Sequence, residues 1–273
     1  MVTSKIVRLS PDEFARLLWT DEATEDSIPL ITVGPMPNDR TRPERKIASP
    51  HIFAEFCRIT LNNRVEMMKD CYDTLHLTPT SFSAAGMVFK HRAHQFLREG
   101  RTLDIFHILA SSQLQGETNP KYIYNEYPDD AGRRRQFILP RLEVRLVDKD
   151  TQRTHELGVY YRPRNPNLSE SVDSWVLVRP DSQNPPIILA FQVTINEEEC
   201  DVNPSGLDWL RALVPRDAQV YHIILTPEAV APEINVPAGY LTAGFLDGRD
   251  VNKAFPVFHC KINVAEFFKP CPT

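Results

Sequence analysis

Two short segments of this chain, Ser171–Val178 and Ile187–Ile195, carry the residues whose types and spacing could do chemistry. Both are rich in β-branched and aromatic residues and are separated by Pro180, Asn184, Pro185 and Pro186, so they read as neighbouring strands joined by a tight connection. Alternation puts Asp173, Trp175 and Leu177 on one face of the first strand, and Gln192 and Thr194 on one face of the second. One carboxylate, one amide and one hydroxyl then converge at a sheet edge. Other chemistries find no motif. There is no Gly-x-x-x-x-Gly-Lys-Ser/Thr loop for ATP, no His-Glu-x-x-His helix for zinc proteolysis and no Gly-x-Ser-x-Gly elbow.

The elements that must position these residues can be read along the chain. Ser10-Pro11-Asp12-Glu13 is a capping box with proline at the first helical position, and Ser49-Pro50 starts a second helix with a stripe from Ile52 to Leu61. Between them residues 20–48 read as an extended connector, with Leu30–Val33 alone strand-like. Residues 1–77 are therefore expected to form a mostly helical N-terminal region, and 78–273 the main domain. Thr78-Pro79 caps a helix running from Phe82 to Glu99 and stopped by Gly100. On it Lys90 and His94 lie one turn apart. Strands follow at Leu103–Leu109, Phe137–Val147 and His155–Tyr161, and then come the two opening strands. After an acidic loop (Glu197, Glu198, Glu199, Asp201), Asn203-Pro204 starts a helix through Leu213, and Val220–Leu225 reads as a buried strand parallel to the Gln192 strand. Residues 227–273 read as a proline-rich covering segment.

With a formal charge of −5 over 273 residues, the chain has no global attraction for nucleic acid, so such binding needs a local basic face. Arg133, Arg134 and Arg135 are candidate phosphate contacts, with a solvated surface loop as the alternative. His94 could join them or simply pack. Five cysteines, an odd number at wide spacing, argue against a disulfide framework or a zinc site and for a reducing, intracellular compartment. No apolar run has signal-peptide or membrane-spanning length.

The order helix, hairpin strands, helix, strand is the α-β-β-β-α-β order of the restriction-endonuclease-like, or PD-(D/E)xK, fold, whose metal site lies on the second and third core strands. Ala85–Gly100, Val172-Asp173 and Phe191-Gln192-Val193-Thr194 with Gly206-Leu207 resemble the C-terminal nuclease-like module of Crinkler and RHS-type (retrotransposon hot spot) proteins of fungi, oomycetes and other eukaryotes. Those proteins commonly carry a P-loop ATPase before the module, and Ile47–Ile52 resembles the tail of that region. The resemblance covers roughly residues 45–226. It implies an α+β fold with an N-terminal helical extension, and a phosphodiester nuclease that uses Mg²⁺ or Mn²⁺. Asp173 and Gln192 would be its metal ligands, with Thr194 or Lys90 assisting. Nucleic acid is the implied target, and an ATPase module or another protein the implied partner.

The departures from that pattern matter as much. Lys90 follows Phe89 where the family commonly has glutamate, Gln192 offers only a neutral oxygen, and Thr194 stands where lysine is usual. Losing a carboxylate removes much of the charge that binds Mg²⁺, which dehydrates reluctantly. The sequence thus leaves two expectations: a metal-dependent nuclease, or a pseudo-nuclease kept as a nucleic-acid or protein interaction module.

Overall fold

The computed structural model describes residues 31–36, 39–47, 64–77, 82–107, 121–122, 134–148, 155–164, 171–179, 185–196, 199–215, 218–230, 233–235 and 257–269. The capping box at Ser10, the Ser49-Pro50 helix start, the Thr78-Pro79 cap, Arg133, Glu197 and Glu198 lie outside these residues. The chain forms two compact units, residues 1–93 with 265–273 and residues 94–264, where the sequence had suggested a boundary at 77/78.

In the first unit the tract read as a connector is a two-stranded antiparallel hairpin, β1 (Ile31–Met36) and β2 (Asp39–Ile47). Its register runs from Ile31↔Ile47 to Pro35↔Pro43, with an irregularity at Pro35/Met36. In a ribbon of two strands each has a free edge, so a proline without an N–H is tolerated there although it would break a wider sheet. Helices α1 (Val65–His76) and α2 (Phe82–Phe96) follow, the last turn of α2 belonging to the second unit. Aromatic rings hold the helices of this unit together. Tyr72 lies 5.8 Å from Phe89 and 5.4 Å from Phe268, and Phe89 lies 4.7 Å from Phe267. The fully buried Arg92 donates to the carbonyls of Phe267 (2.8 Å) and Lys269 (3.2 Å), which satisfies both its charge and the end of the C-terminal turn. Lys90 is a half-buried residue of this unit.

The second unit is built on β3 (Thr102–His107), β4 (Lys121–Tyr122), β5 (Arg134–Ile138), β6 (Glu143–Val147), β7 (Val159–Pro163), β8 (Ser174–Val178), β9 (Ile187–Val193) and β10 (Glu199–Asp201). It continues with helix α3 (Pro204–Leu213), β11 (Gln219–Pro227), β12 (Glu233–Asn235), β13 (Val257–Ile262) and the single turn α4 (Val264–Phe267), which ends in the first unit. Eight strands make one mixed sheet in the order β5-β3-β13-β11-β9-β8-β7-β6, and β10-β12-β4 make a small second one. The molecule is therefore a mixed α/β protein, as the element order implied.

As expected, β8 pairs antiparallel with β9, and β11 lies parallel to β9 with α3 between them in the chain. Leu207, Leu210 and Leu213 of α3 pack with Trp175, Leu177, Ile188, Ala190, Val220 and Ile224, which alternate along three adjacent strands and so share one sheet face. Asn203 caps α3 by accepting from the Ser205 N–H at 2.9 Å, with Pro204 at the first position.

Two features differ from the sequence reading. Phe137–Val147 is not one strand: Pro140 cannot donate to a ladder, and the run splits into β5 and β6. These become the two edges of the sheet. Ile138 and Glu143 are joined by a link that spans at most about 18 Å, whereas eight flat strands about 4.8 Å apart would hold their edges roughly 34 Å apart. The sheet must curl to let the short link close. The segment after Pro227, read as a cover, supplies β13, whose Val257, Phe258, His259, Cys260 and Ile262 are buried in the interior of the sheet between β11 and β3.

The turn into β7 needs a glycine. Gly158 sits at φ +79° with nothing near where a Cβ would be, and its carbonyl accepts from the Glu143 N–H at 3.1 Å. Gly158→Ala should therefore cost about 1–2 kcal/mol through backbone strain alone, while Gly158→Asn, which tolerates positive φ better, should cost less. Urea midpoints of the two variants check the order. Among the described residues no helix is long and apolar enough to cross a membrane.

Candidate functional site at the start of β8

Asp173 stands immediately before β8, opposite β9. Its N–H donates to the Phe191 carbonyl at 2.8 Å, and its Oδ2 accepts from the Val193 N–H at 2.8 Å. The carboxylate is thus anchored between Gln192 and Thr194. The pairing Ser174↔Phe191 and Trp175↔Ala190 extends to bring Asp173 beside Gln192 on one face. Asp173, Gln192 and Thr194 are each half-buried, and the Asp173 carboxylate bonds the amide of the residue between the other two. Lys90 belongs to the other unit.

Gln192 is more committed than its neighbours. Its Nε2 donates to the Asp201 carbonyl at 3.1 Å, and its Oε1 lies 2.9 Å from Nε2 of His222. A carbonyl can only accept, so the amide nitrogen must face Asp201 and the oxygen must face the histidine. His222 then donates from Nε2. Its ring is fully buried on β11, two residues from the position paired with Gln192, and its Nδ1 has no hydrogen-bond partner. Burial pushes its pKa down to about 4, so the ring is neutral at physiological pH. His222 is the residue of this site that the sequence reading missed, because it lay inside an apolar run whose partner strand is 30 residues away in the chain. Thr194 donates its N–H to the Leu225 carbonyl at 3.1 Å, and its Oγ1 accepts from the Asn196 N–H at 3.0 Å.

A divalent cation held as in the restriction-endonuclease fold wants two carboxylates facing it. The donors present do not fit that set. Asp173 has one oxygen given to the backbone, and Gln192 has its oxygen engaged by His222. Among the described residues no group of three or more His, Cys, Asp or Glu is placed to hold a metal ion.

On the opposite face of β7 and β8 a buried polar chain runs beside the same strand start. His94 Nδ1 lies 2.8 Å from the Tyr160 hydroxyl, which donates to Ser174 Oγ at 2.6 Å. The Tyr160 proton is committed to Ser174, so His94 must donate from Nδ1. Its ring is only 4 % exposed, which leaves it little surface to offer a nucleic acid. Burial holds the Tyr160 hydroxyl well above the ordinary phenol range, despite the Ser174 bond that opposes it. Two residues on, Arg162 is half-buried with its Nε shielded from solvent and unpartnered.

The arginine run is divided by the alternation of β5. Arg134 is exposed and pairs with Asp104 at 2.8 Å, an exposed pair worth little in stability. Arg135 is half-buried, bonded to the Tyr221 hydroxyl and stacked over the Tyr221 ring (5.2 Å) and the Phe258 ring (5.8 Å). Cys71, Cys200 and Cys260 are buried free thiols pushed up to about 12 by burial, which makes them poor nucleophiles.

Compared with known proteins, the chain matches no family model, and no curated protein or solved structure is significantly similar to it.

Proposed function

We propose that residues 78–273 form a restriction-endonuclease-like module of the Crinkler/RHS type that binds nucleic acid, a pseudo-nuclease whose metal centre has degenerated. The observation that carries the reading is the position of Asp173. It stands at the start of β8, its carboxylate anchored by the Val193 amide, with Gln192 and Thr194 on the adjoining strand. Counting β7, β8, β9 and β11 as core strands, these are the second and third, and α3 precedes the fourth. That is where the fold carries its active centre. The commitment of Gln192 to His222 and the Asp201 carbonyl favours binding over cleavage, because a cation would have to compete with both.

The second reading is an active nuclease using Mg²⁺ or Mn²⁺ at Asp173. One experiment separates the two: full-length protein is titrated with a labelled oligonucleotide, with and without Mn²⁺, and cleavage is followed in the same samples. The expected result is salt-sensitive binding that Mn²⁺ does not change, and intact substrate. Mn²⁺-dependent cleavage that Asp173→Ala abolishes would establish the second reading. No binding to either DNA or RNA in low salt would end both.

A further inference from the structure

The large sheet ends at β6, and that edge is bare. Among the described residues β6 is hydrogen-bonded to β7 alone, and every residue from Glu143 to Leu146 is exposed. The Glu143 N–H donates to the Gly158 carbonyl, and the Val147 carbonyl accepts from the Arg164 N–H. In a parallel ladder of this register the backbone groups of Glu143, Arg145 and Val147 therefore face β7. Those of Val144 and Leu146 face away from the sheet, two N–H groups and two carbonyls in a row. The side chains of the same two residues, 38 % and 49 % exposed, form an apolar pair on one face of the strand. Glu143 and Arg145 lie together on the other face.

Sheet edges are usually blunted by a lysine, a proline or a bulge. β6 contains none of these: its register with β7 is unbroken, and its one cation is neutralised by Glu156, whose two carboxylate oxygens Arg145 reaches at 2.7 and 3.3 Å. The charge pattern says what fits the edge. A second β6, antiparallel about a two-fold axis through Val144, sets Val144 against its own copy, where the two can exchange both backbone bonds. It also sets Glu143 against Arg145 of the second copy, once on each side of the axis. A guanidinium has five N–H donors, and the Glu156 bonds use two of those on Arg145, so a second carboxylate can be met. Opposite charges directly across two strands attract, whereas the register with Val144 against Leu146 would set Arg145 against Arg145. The other sheet edge, β5, carries Arg134 and Arg135 and no acid, so it offers a copy of itself no opposite charge.

We propose that the β6 edge is a docking surface for a second copy of this chain, paired antiparallel about Val144 with reciprocal Glu143–Arg145 contacts. Such an interface is isologous and closes at two chains, so it makes a dimer and not a filament. It joins the two sheets edge to edge over a single short strand, which is small for a permanent interface and suits a dimer that forms and dissociates with concentration. The inference rests on the sheet edge alone and is independent of the function proposed above.

The test is the oligomeric state of the full chain, followed by sedimentation velocity in low salt as the concentration is raised. The wild type should pass from monomer to dimer with a midpoint of roughly 10–100 µM, as befits a small interface. Val144→Lys puts a cation on the axis facing its own copy and should leave only monomer over the same range. Glu143→Lys should raise the dissociation constant about tenfold, and Arg145→Glu likewise, because each turns two cross-strand attractions into repulsions. Mixed in equal amounts, these two variants should associate again near the wild-type midpoint, since each supplies the charge the other has lost. A variant that had merely misfolded would not be rescued by mixing, so this arm keeps the test decisive. A wild type that stays monomeric at every concentration overturns the second copy as the occupant of this edge. A dimer that Val144→Lys leaves intact puts the interface elsewhere and refutes the proposal, as does a mixture that associates no better than either charge variant alone.

Discussion

Trp175→Ala should lower the stability of the protein by about 3–5 kcal/mol, the range for deleting a fully buried aromatic side chain. The indole has no exposed surface and sits at the centre of an aromatic column. Tyr161 stacks on it at 5.7 Å with planes 11° apart, Trp209 meets it edge-on at 5.5 Å, and His155 lies 6.2 Å away. Removing it opens a void between β7, β8 and α3 that these rings cannot collapse to fill, because Tyr161 is tied by its hydroxyl to the Glu156 N–H at 2.7 Å. Trp175→Phe should cost clearly less: it loses volume, yet also removes an indole N–H that has no partner in the core. Trp209, which is only partly buried, should tolerate alanine better than Trp175 does. Urea unfolding of the three variants checks the ranking. A shift in midpoint at constant slope is expected, since the loss is of packing and not of the cooperative unit. A near-neutral Trp175→Ala would mean that α3 does not pack on this sheet face.

The parts of the fold that could be read from the sequence are those whose signals are local. β8, β9 and α3 carry unbroken periodicity, and α3 announces its start through Asn203-Pro204. The parallel placement of β11 followed from the intervening helix. The parts that could not be read depend on contacts between distant segments. Nothing near Val257 says that β13 will enter the sheet between β11 and β3, since that position is decided by which strand edges remain open after the others have paired. Nothing near Phe137 says that four residues around Pro140 will link the two edges of a curled sheet. The candidate site divides the same way. Asp173, Gln192 and Thr194 were visible as an alternating polar set on paired strands. His222 was not, because it gains meaning only from a neighbour brought in by the fold.

Lowering the pH from 7 to 4 should remove about 3 kcal/mol of stability through His222 alone. In the unfolded chain this histidine titrates at its ordinary value of 6.5, and in the folded protein burial depresses it to about 4. Between these values the unfolded state binds a proton that the folded state refuses, so stability is fully present above 6.5 and is lost as the pH falls through about 4. The cause is structural: the ring is fully buried on β11 with one nitrogen committed to Gln192, and a proton on the orphaned Nδ1 would place a charge where no acceptor waits. His155 is also depressed by burial, so the whole-protein curve contains more than one histidine. His222→Gln isolates the contribution, since it keeps a donor for Gln192 and carries no titrating group. Denaturant unfolding at half-unit steps of pH should show the steep limb between 6.5 and 4 in the wild type and a limb shallower by about that amount in the variant. Parallel limbs would mean that His222 is open to solvent in the folded state, and Gln192 would then be free of the constraint that sets it against metal binding.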